Sequence, residues 1–218
     1  AASDVYKRQG LHAGTTRIYE WNGSAWVLKG NQINGLTAQE QSGGAVSING
    51  NGNIVAIGAS HYNSLTGITR IYEWNGTAWV LKGSQINGLT SNEYSGVSVS
   101  INGDGTIVAI GAYLNDDADT NAGTTRIYEW NGTAWALKGS QINGLTLGEY
   151  SGRSVSINSD GTVVAIGAHS FDGGVGTNSG TTRIYTWNGT TWTLKNQING
   201  LTTGEESGRT VSLSSNGE

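Results

Sequence analysis

The chain has 218 residues and a net charge of −4, and it contains 35 glycines but no cysteine, proline or methionine. The lack of cysteine excludes disulfides, thiolate metal sites and cysteine nucleophiles. The negative charge argues against nucleic acid or an anionic membrane surface as a partner, and the longest apolar runs are too short for membrane insertion. With 36% hydrophobic residues and eight tryptophans, the chain is too apolar to be disordered.

The first nine residues differ from the rest of the sequence. Residues 4–9 read DVYKRQ, which resembles the translation of a sequencing-library adapter. We therefore interpret residues 1–9 as a non-native leader and exclude them from the fold, the alternative being an ordinary linker. Together with the missing methionine, this segment predicts that the chain is a piece of a longer protein.

The remaining residues, 10–218, form a repeat. The motif WNGxxW occurs four times and holds all eight tryptophans, with 53, 56 and 57 residues between successive copies. A second motif, VAIGA, ends at Ala59, Ala112 and Ala168. Self-similarity at such a period is typical of solenoids, propellers and tandem arrays.

One loop of the repeat varies in length while the rest stays constant. From the glycine of VAIGA to the glycine of the GxTRIY motif there are 9, 12 and 13 residues in successive repeats, which accounts for the differences in period. We call residues 59–66, 112–122 and 168–179 the variable loops. Since all the length variation falls in one place, we expect these loops to share one face and to contact the partner.

In the repeat at residues 97–139, the hydrophobic pattern predicts the first two strands. Val99 and Ile101 alternate with serines, which indicates a half-buried strand. Residues 102–105 (NGDG) predict a tight turn, because asparagine, aspartate and glycine tolerate a positive φ. Residues 106–112 (TIVAIGA) are a continuous run rich in β-branched side chains, which is typical of a strand buried on both faces.

After the variable loop, residues 124–130 and 133–138 flank Asn131-Gly132, which is the strongest short-range signal for a hairpin. A two-residue turn predicts that Tyr128 faces Trp135 across this hairpin. The same pairing is predicted for Tyr19/Trp26, Tyr72/Trp79 and Tyr185/Trp192. We expect the structural aromatic residues of the repeat to pack between neighbouring repeats, and they are Tyr19, Trp21, Trp26, Tyr72, Trp74, Trp79, Tyr128, Trp130, Trp135, Tyr185, Trp187 and Trp192.

Four strands in a repeat of about 55 residues, with one variable loop, predict an all-β fold of the β-propeller type with four-stranded blades. A β-solenoid coil is much shorter, and a sandwich does not repeat its tryptophans in register. Counting strands gives a half blade, three full blades and the start of the next blade, with a final strand at residues 210–213. Because that last blade lacks its VAIGA strand, we predict an incomplete ring.

The order of motifs within a repeat resembles a known family. An aromatic residue and a glycine precede a Ser-Val strand, an Asp-Gly turn leads to a Gly-Ala strand, and an Ile-Tyr strand follows. The matching residues are Tyr94-Ser95-Gly96, Val99, Asp104-Gly105, Gly111-Ala112 and Arg126-Ile127-Tyr128. This pattern resembles the FG-GAP repeat of integrin α-chain-like β-propellers, in its WNG-containing variant. The resemblance implies a propeller, usually seven-bladed, that acts in adhesion or recognition.

The resemblance also implies a calcium loop of the form D-x-[DN]-x-D-G between the first two strands, whereas the residues of this chain predict no cofactor, with calcium as the alternative. The corresponding turns here carry one carboxylate or none, too few for a cation that takes about 6–8 oxygen ligands. Asp117, Asp119 and Asn121 alternate in the second variable loop and form the candidate calcium site. The alternative is a solvated acidic loop, because the other variable loops do not repeat this pattern.

Each WNG motif continues into an N-glycosylation sequon, because serine or threonine follows the Asn-Gly step. In a chain that passes through a eukaryotic secretory route, these exposed turns are candidate glycan sites. The alternative is that an Asn-Gly turn followed by a β-favouring threonine creates a sequon by coincidence. The four candidate asparagines are Asn22, Asn75, Asn131 and Asn188.

The repeated charged residues predict structure rather than catalysis. One glutamate per repeat cannot converge with its copies into a catalytic pair when the copies are spread around a ring. We therefore expect these glutamates to bond turn amides, and the repeated arginines to pair across blades. The histidines lie in loops and are not fixed to the repeat. The residues are Glu40, Glu93, Glu149 and Glu205; Arg17, Arg70, Arg126 and Arg183; and His12, His61 and His169.

These features predict a non-catalytic, extracellular or cell-surface module for adhesion, recognition or structural assembly, with a protein or glycan surface ligand as partner. The alternative is a carbohydrate-binding lectin whose exposed tryptophan faces stack on sugars. A third hypothesis, a hydrolase on a propeller scaffold, needs a central cluster of carboxylates or histidines that the repeats do not supply. Exposed edges of an incomplete ring also predict self-association.

Overall fold

The computed structural model describes residues 11–173 and 175–218, and the leader predicted at residues 1–9 lies outside the described residues. Within them, strands dominate and helix is almost absent, which confirms the all-β fold.

The half blade comprises β1 (Thr15–Thr16), β2 (Tyr19–Trp21), β3 (Trp26–Leu28) and β4 (Ile33–Asn34). Blade 1 comprises β5 (Ala45–Ile48), β6 (Ile54–Ala59), α1 (Tyr62–Leu65), β7 (Ile68–Trp74), β8 (Trp79–Leu81) and β9 (Ile86–Asn87). Blade 2 comprises β10 (Ser98–Ile101), β11 (Ile107–Ala112), β12 (Thr124–Trp130), β13 (Trp135–Leu137) and β14 (Ile142–Asn143), and blade 3 comprises β15 (Ser154–Ile157), β16 (Val163–Ala168), β17 (Thr181–Trp187) and β18 (Trp192–Asn199).

Each blade is an antiparallel sheet whose strands lie in chain order. In blade 2 the order is β10-β11-β12-β13, and β14 pairs with the first two residues of β12. Val99 lies opposite Ile110 and Ile101 lies opposite Val108, so the alternating first strand pairs with the VAIGA strand. β6, β11 and β16 are buried along their whole length, as the continuous run of aliphatic side chains predicts.

The hydrophobic core lies between neighbouring blades. Ile54, Ala56 and Ile71 of blade 1 pack in one cluster with Val99 and Val108 of blade 2. An equivalent cluster joins blade 2 to blade 3. Consecutive four-stranded antiparallel sheets that bury their faces against one another are the blades of a β-propeller.

Hydrogen bonds also link the first strands of successive blades. The Ile101 N–H donates to Ser47 Oγ at 3.0 Å, and one blade further on the Ile157 N–H donates to Ser100 Oγ at 3.0 Å. The serines that alternate with the apolar residues of these strands thus connect blades. Since the contact recurs at equivalent positions, it fixes the spacing of the blades near their first strands.

The hairpin of each blade differs from the prediction. Trp130 pairs with Trp135 and Tyr128 pairs with Leu137, so the predicted Tyr–Trp pairing is wrong. The loop has four residues instead of two, because Asn131 Oδ1 accepts the N–H groups of Thr133 and Ala134 and the Asn131 N–H donates to the Ala134 carbonyl. The Trp–Trp pairing recurs at Trp21/Trp26, Trp74/Trp79 and Trp187/Trp192.

Residues 210–213 form no strand in the structure, at the place where the sequence predicts the opening strand of a further blade. Elsewhere this strand pairs with a VAIGA strand, and in the described residues no such strand lies beside 210–213. The segment still follows blade 3, because the Leu213 N–H donates to Ser156 Oγ at 2.9 Å.

The first variable loop contains α1, a single four-residue turn inside an otherwise all-β chain. Asn63, Ser64 and Leu65 all have positive φ values, so the segment is a left-handed turn and not a regular helix. Over residues 11–173 and 175–218, no helix is long and apolar enough to span a membrane.

Candidate functional site

The variable loops and the loops that connect one blade to the next lie on the same face. The connecting loops are residues 35–44, 88–97 and 144–153. The Tyr94 N–H donates to the Leu65 carbonyl at 2.8 Å, which ties the second connecting loop to the first variable loop. The Leu114 N–H contacts the Glu93 carbonyl at 3.4 Å, which ties it to the second variable loop. We call this side the variable-loop face; the WNG turns lie at the opposite ends of the same strands.

A continuous row of aromatic rings crosses this face. The ring centroids of His61 and Tyr94 are 5.3 Å apart, those of Tyr94 and Tyr113 are 5.5 Å apart, and those of Tyr113 and Tyr150 are 5.9 Å apart. His169 completes the row by stacking on Tyr150 at 5.6 Å. All five rings are half-buried, so each is held in place and still reaches solvent. We call this set the aromatic row.

Sequence reasoning missed the aromatic row, although it named several of its members. The sequence places His61 and His169 in separate loops and Tyr94 in a family motif, with nothing to connect them. The sequence signal that could have revealed the row is the recurrence of an aromatic residue at two positions of the repeat. Tyr94 and Tyr150 follow the repeated glutamate, while Tyr113 directly follows a VAIGA strand. These positions are far apart in sequence, and only the folded chain brings them together.

The backbone of the aromatic row is strained. Tyr94 and Tyr150 both have φ values of 57°, in the left-handed region that costs a bulky residue about 1–2 kcal/mol. Gln41 and Glu206, at the equivalent positions, have φ values of 54° and 55°. Glycine would adopt this conformation without strain, but every repeat carries a large side chain instead. Strain that the surrounding structure sustains is typical of functional positions.

Charged groups surround the far end of the row. The Arg153 guanidinium lies 5.5 Å from the centre of the Tyr113 ring. Burial lowers the pKa of His169, and the positive charges of Arg153 and Arg209 lower it further. The negative charge of Glu206 raises that pKa, but by less than burial lowers it. The His169 Nδ1 atom is buried and has no hydrogen-bond partner. The Arg153 guanidinium therefore places a cation beside the aromatic surface of the row.

A pocket opens at the other end of the row, next to His61. It has a volume of 220 Å³ and is lined by His12, Gln39, Gln41, His61 and Leu65. The row and this pocket together extend across the half blade and all three blades.

Buried ion pairs support the connecting loops beneath the row. The Arg126 guanidinium binds both oxygens of Glu93, at 2.7 and 3.0 Å, and Asn115 Nδ2 donates to the same carboxylate at 2.9 Å. Glu93 also accepts the Leu89 N–H at 2.8 Å. Glu93 thus bonds a turn amide, as predicted, whereas Arg126 pairs with the connecting loop that leads into its own blade and not across blades as expected. Equivalent pairs join Arg70 to Glu40 and Arg183 to Glu149.

These carboxylates are inaccessible to solvent. Burial raises the pKa of Glu93, but the hydrogen bonds and charge of Arg126, with the Leu89 N–H and Asn115, hold that pKa below its ordinary value. The pKa of Glu40 is lowered in the same way by Arg70, Thr37 and Leu36 against the effect of burial. A fully buried, arginine-paired carboxylate is a structural group. No such carboxylate lies beside Arg17 among the described residues.

The segment that contains Glu93, Tyr94, Tyr113 and Arg126 also matches a known family. Residues 88–128 match the family model described as FG-GAP repeat. The chain carries an FG-GAP repeat. The comparison with curated proteins finds no match.

The FG-GAP segment covers the second connecting loop, the first two strands of blade 2, the second variable loop and most of β12. The neighbouring blades repeat its strand registers and its glutamate–arginine pair. FG-GAP repeats build generally non-catalytic binding folds and are typically extracellular. The family resemblance expected from the sequence is confirmed for this segment.

The tryptophans of blades 1 and 2 pack between blades. Trp79 Nε1–H donates to the Lys29 carbonyl of the half blade at 2.8 Å, and Trp135 Nε1–H donates to the Lys82 carbonyl of blade 1 at 2.8 Å. The corresponding rings are half-buried. Trp21 and Trp26 differ, with 55% and 68% of their surface exposed.

The residues of the candidate calcium site do not converge. Asp117 Oδ2 accepts a hydrogen bond from Gln141 Nε2 at 2.7 Å and lies 3.6 Å from the Arg126 guanidinium. Asp119 accepts the N–H of Thr120, and the Asn121 N–H donates to Asp116. Over the part of the chain that the structure describes, no three His, Asp or Glu side chains form a metal-binding group. The contacts favour a hydrogen-bonded acidic loop, and calcium binding here stays a prediction.

The sequon asparagines all lie on exposed hairpin turns. Each Oδ1 atom accepts backbone N–H groups, as Asn131 Oδ1 does from Thr133 at 3.0 Å. A glycan on Nδ2 leaves this oxygen free to hold the turn. Glycosylation at Asn22, Asn75, Asn131 and Asn188 stays a prediction.

Proposed function

We propose that this chain is a non-catalytic, extracellular or cell-surface recognition module that binds a protein or glycan ligand through the variable-loop face. The observation that carries this proposal is the aromatic row from His61 to His169, five rings in mutual contact across three blades. Tyrosine and arginine are the residues most enriched where binding energy concentrates, and both occur here.

The distribution of variation supports the same conclusion. The blades keep their strand registers and buried ion pairs, while the variable loops change in length and sequence. A constant scaffold that presents variable loops is typical of binding proteins. The aromatic row lies where the variable loops meet the connecting loops. A ligand on this face would therefore contact both the aromatic rings and the variable loops.

The lack of catalysis is part of the proposal. Of the glutamates that recur in every repeat near this face, Glu40, Glu93 and Glu149 are buried and paired with an arginine. The fourth, Glu205, is exposed but accepts turn amides. A substrate therefore has no access to a pair of free carboxylates of this kind. Adhesion or recognition needs none, and FG-GAP repeats are generally binding folds.

The experiment compares two matched double variants on defined arrays of glycans and of extracellular matrix proteins. Tyr94→Ala/Tyr150→Ala removes two rings of the aromatic row. Thr77→Ala/Thr133→Ala changes two exposed WNG turns at the opposite end of the strands. We expect the first variant to lose at least about tenfold in affinity, equivalent to about 1.4 kcal/mol, and the second to bind like the wild type. Equal loss in both variants, or wild-type binding by the first, would contradict the proposal.

A lectin function on the tryptophans is the second candidate, because Trp21 and Trp26 are exposed. Exposed aromatic faces stack on sugars. This hypothesis predicts glycan binding that Trp26→Ala abolishes and Tyr94→Ala/Tyr150→Ala leaves intact. The opposite pattern supports the variable-loop face.

A further inference from the structure

The same docking contact joins each blade to the one before it. A tryptophan pair on the later blade packs against a Lys-Gly step at the end of the outer strand of the earlier blade. For blades 1 and 2, Trp135 Nε1–H donates to the Lys82 carbonyl at 2.8 Å, and the Lys82 ammonium lies 5.1 Å from the centre of the Trp130 ring. The three Lys-Gly steps are Lys29-Gly30, Lys82-Gly83 and Lys138-Gly139.

Glycine is required in this step for two reasons. Gly83 has a φ of +74°, which L side chains rarely adopt. A Cβ atom at Gly83 would also lie 2.5 Å from Cζ3 of Trp130, too close for any contact. Gly30 and Gly139 have the same conformation and the same tryptophan contact. The indole ring therefore packs directly against the backbone of this glycine.

Blade 3 has lost this glycine. Its outer strand reads Lys195-Asn196-Gln197, where the half blade reads Lys29-Gly30-Asn31-Gln32. As a result β18 runs unbroken from Trp192 to Asn199, whereas the outer strands of blades 1 and 2 end at Leu81 and Leu137, just before the lysine. Asn196 pairs with Ile184 and is exposed, so a side chain stands beside Lys195 where the other blades leave room for an indole.

The half blade presents the complementary element without a partner in the described residues. Trp21 and Trp26 keep the pair geometry, with ring centroids 5.8 Å apart. They are 55% and 68% exposed, whereas the tryptophans of blades 1 to 3 are half-buried against a preceding Lys-Gly step.

We infer that Trp21 and Trp26 form a docking surface for a further FG-GAP-type blade that ends on a Lys-Gly step, and that blade 3 cannot serve as that partner because it lacks the glycine. The three internal contacts define the chemistry of the partner: a backbone carbonyl for the indole N–H, a lysine over the ring, and a glycine with positive φ beneath it. A second copy of this chain offers the carbonyl and the lysine but not the glycine. Blade 3 of a second copy therefore does not complement Trp21 and Trp26, so we do not expect the self-association predicted from exposed sheet edges to use this contact.

The test restores the missing residue in the full chain. Insertion of glycine between Lys195 and Asn196 recreates the sequence of the half blade, Lys-Gly-Asn-Gln. We expect this variant to self-associate in sedimentation velocity as the protein concentration rises, as a closed ring or as an open chain, because a head-to-tail contact closes only where the rotation between copies allows it. The wild type should stay monomeric at the same concentrations. Insertion of serine at the same point is the matched control, and it should also stay monomeric.

Two further measurements make each outcome decisive. Trp26→Ala in the glycine-insertion background should return the sample to monomer. When the glycine-insertion variant that keeps Trp21 and Trp26 associates, its tryptophan fluorescence should shift toward shorter wavelength. Circular dichroism checks that each variant is folded, and Asn196→Gly replaces the insertion if the longer chain does not fold. A folded glycine variant that stays monomeric overturns the docking surface. Wild-type oligomers that Trp26→Ala dissociates overturn the role assigned to the missing glycine.

Discussion

Arg126 on β12 binds both carboxylate oxygens of Glu93 in the preceding connecting loop, at 2.7 and 3.0 Å, and the glutamate is completely buried. The pair joins the loop that leads into blade 2 to the third strand of that blade. Because the loop also carries Tyr94, the ion pair positions one ring of the aromatic row. This contact links the stability of the fold to the geometry of the proposed binding face.

Removing the charge of Glu93 should destabilise the protein strongly. Glu93→Gln removes the carboxylate charge that binds the buried Arg126 guanidinium and leaves only Asp117 at 3.6 Å, so we expect a loss of about 3–5 kcal/mol in the free energy of unfolding. Glu205 is the matched control, since it accepts turn amides at the equivalent position but is exposed. Glu205→Gln should cost about 1 kcal/mol or less. Urea denaturation measures both, and similar losses would contradict the special role of the buried pair.

The lowered pKa values of Glu40 and Glu93 predict how stability depends on pH. Their pKa lies below the ordinary value of 4.5 in the folded state, so the unfolded chain binds protons first as the pH falls. The stabilisation is fully present above pH 4.5 and is lost as the pH falls through the lowered pKa values. Denaturant midpoints measured across this range should fall more steeply for the wild type than for Glu93→Gln. Parallel curves would show that other groups control the acid transition.

Gly83→Ala should be more damaging than Gly132→Ala, although both glycines have a positive φ. A Cβ atom added to Gly132 would meet no heavy atom within 4 Å, so this substitution isolates the conformational cost of about 1–2 kcal/mol. Gly83→Ala adds a close contact between the new Cβ atom and Trp130, which we expect to lower the free energy of unfolding by about 1–3 kcal/mol more. Thermal unfolding of the two variants gives the difference directly. Equal effects would mean that the tryptophan moves aside freely.

Trp135→Phe should cost about 1 kcal/mol, because it removes the hydrogen bond to the Lys82 carbonyl while keeping an aromatic ring. Trp26→Phe is the control, since the Trp26 ring is 68% exposed. We expect that change to alter the free energy of unfolding by less than about 0.5 kcal/mol. Chemical denaturation followed by far-ultraviolet circular dichroism compares the two without relying on tryptophan emission.

Tyr94 offers a test of strain held for function. Tyr94→Gly and Tyr94→Ala both remove the ring and should reduce ligand binding equally. Glycine adopts the φ of 57° without strain, so Tyr94→Gly should be about 1 kcal/mol more stable than Tyr94→Ala. Binding assays combined with unfolding curves separate the two effects. If the two variants have the same free energy of unfolding, the backbone at position 94 is not strained, and strain held for function is contradicted.

The residues of the hairpin explain both the success and the error of sequence-based prediction. The Asn-Gly step in each repeat placed the turn correctly, because asparagine and glycine tolerate turn conformations. The register was wrong by two residues, because Asn131 Oδ1 holds a four-residue loop through the N–H groups of Thr133 and Ala134. Since a shift of two residues keeps each side chain on its face, the packing of the tryptophans between blades was still predicted.

The sequence by itself determined the repeat, the four-stranded blade and the buried VAIGA strand, because these depend on local periodicity that recurs every 53 to 57 residues. Only the tertiary structure decided which side chains meet between blades. Tyr94 and Tyr113 are 19 positions apart in sequence, and Trp135 and Lys82 are 53 apart, yet each pair is in contact. Such contacts depend on how one sheet packs on the next, and no periodicity within a single repeat encodes that geometry.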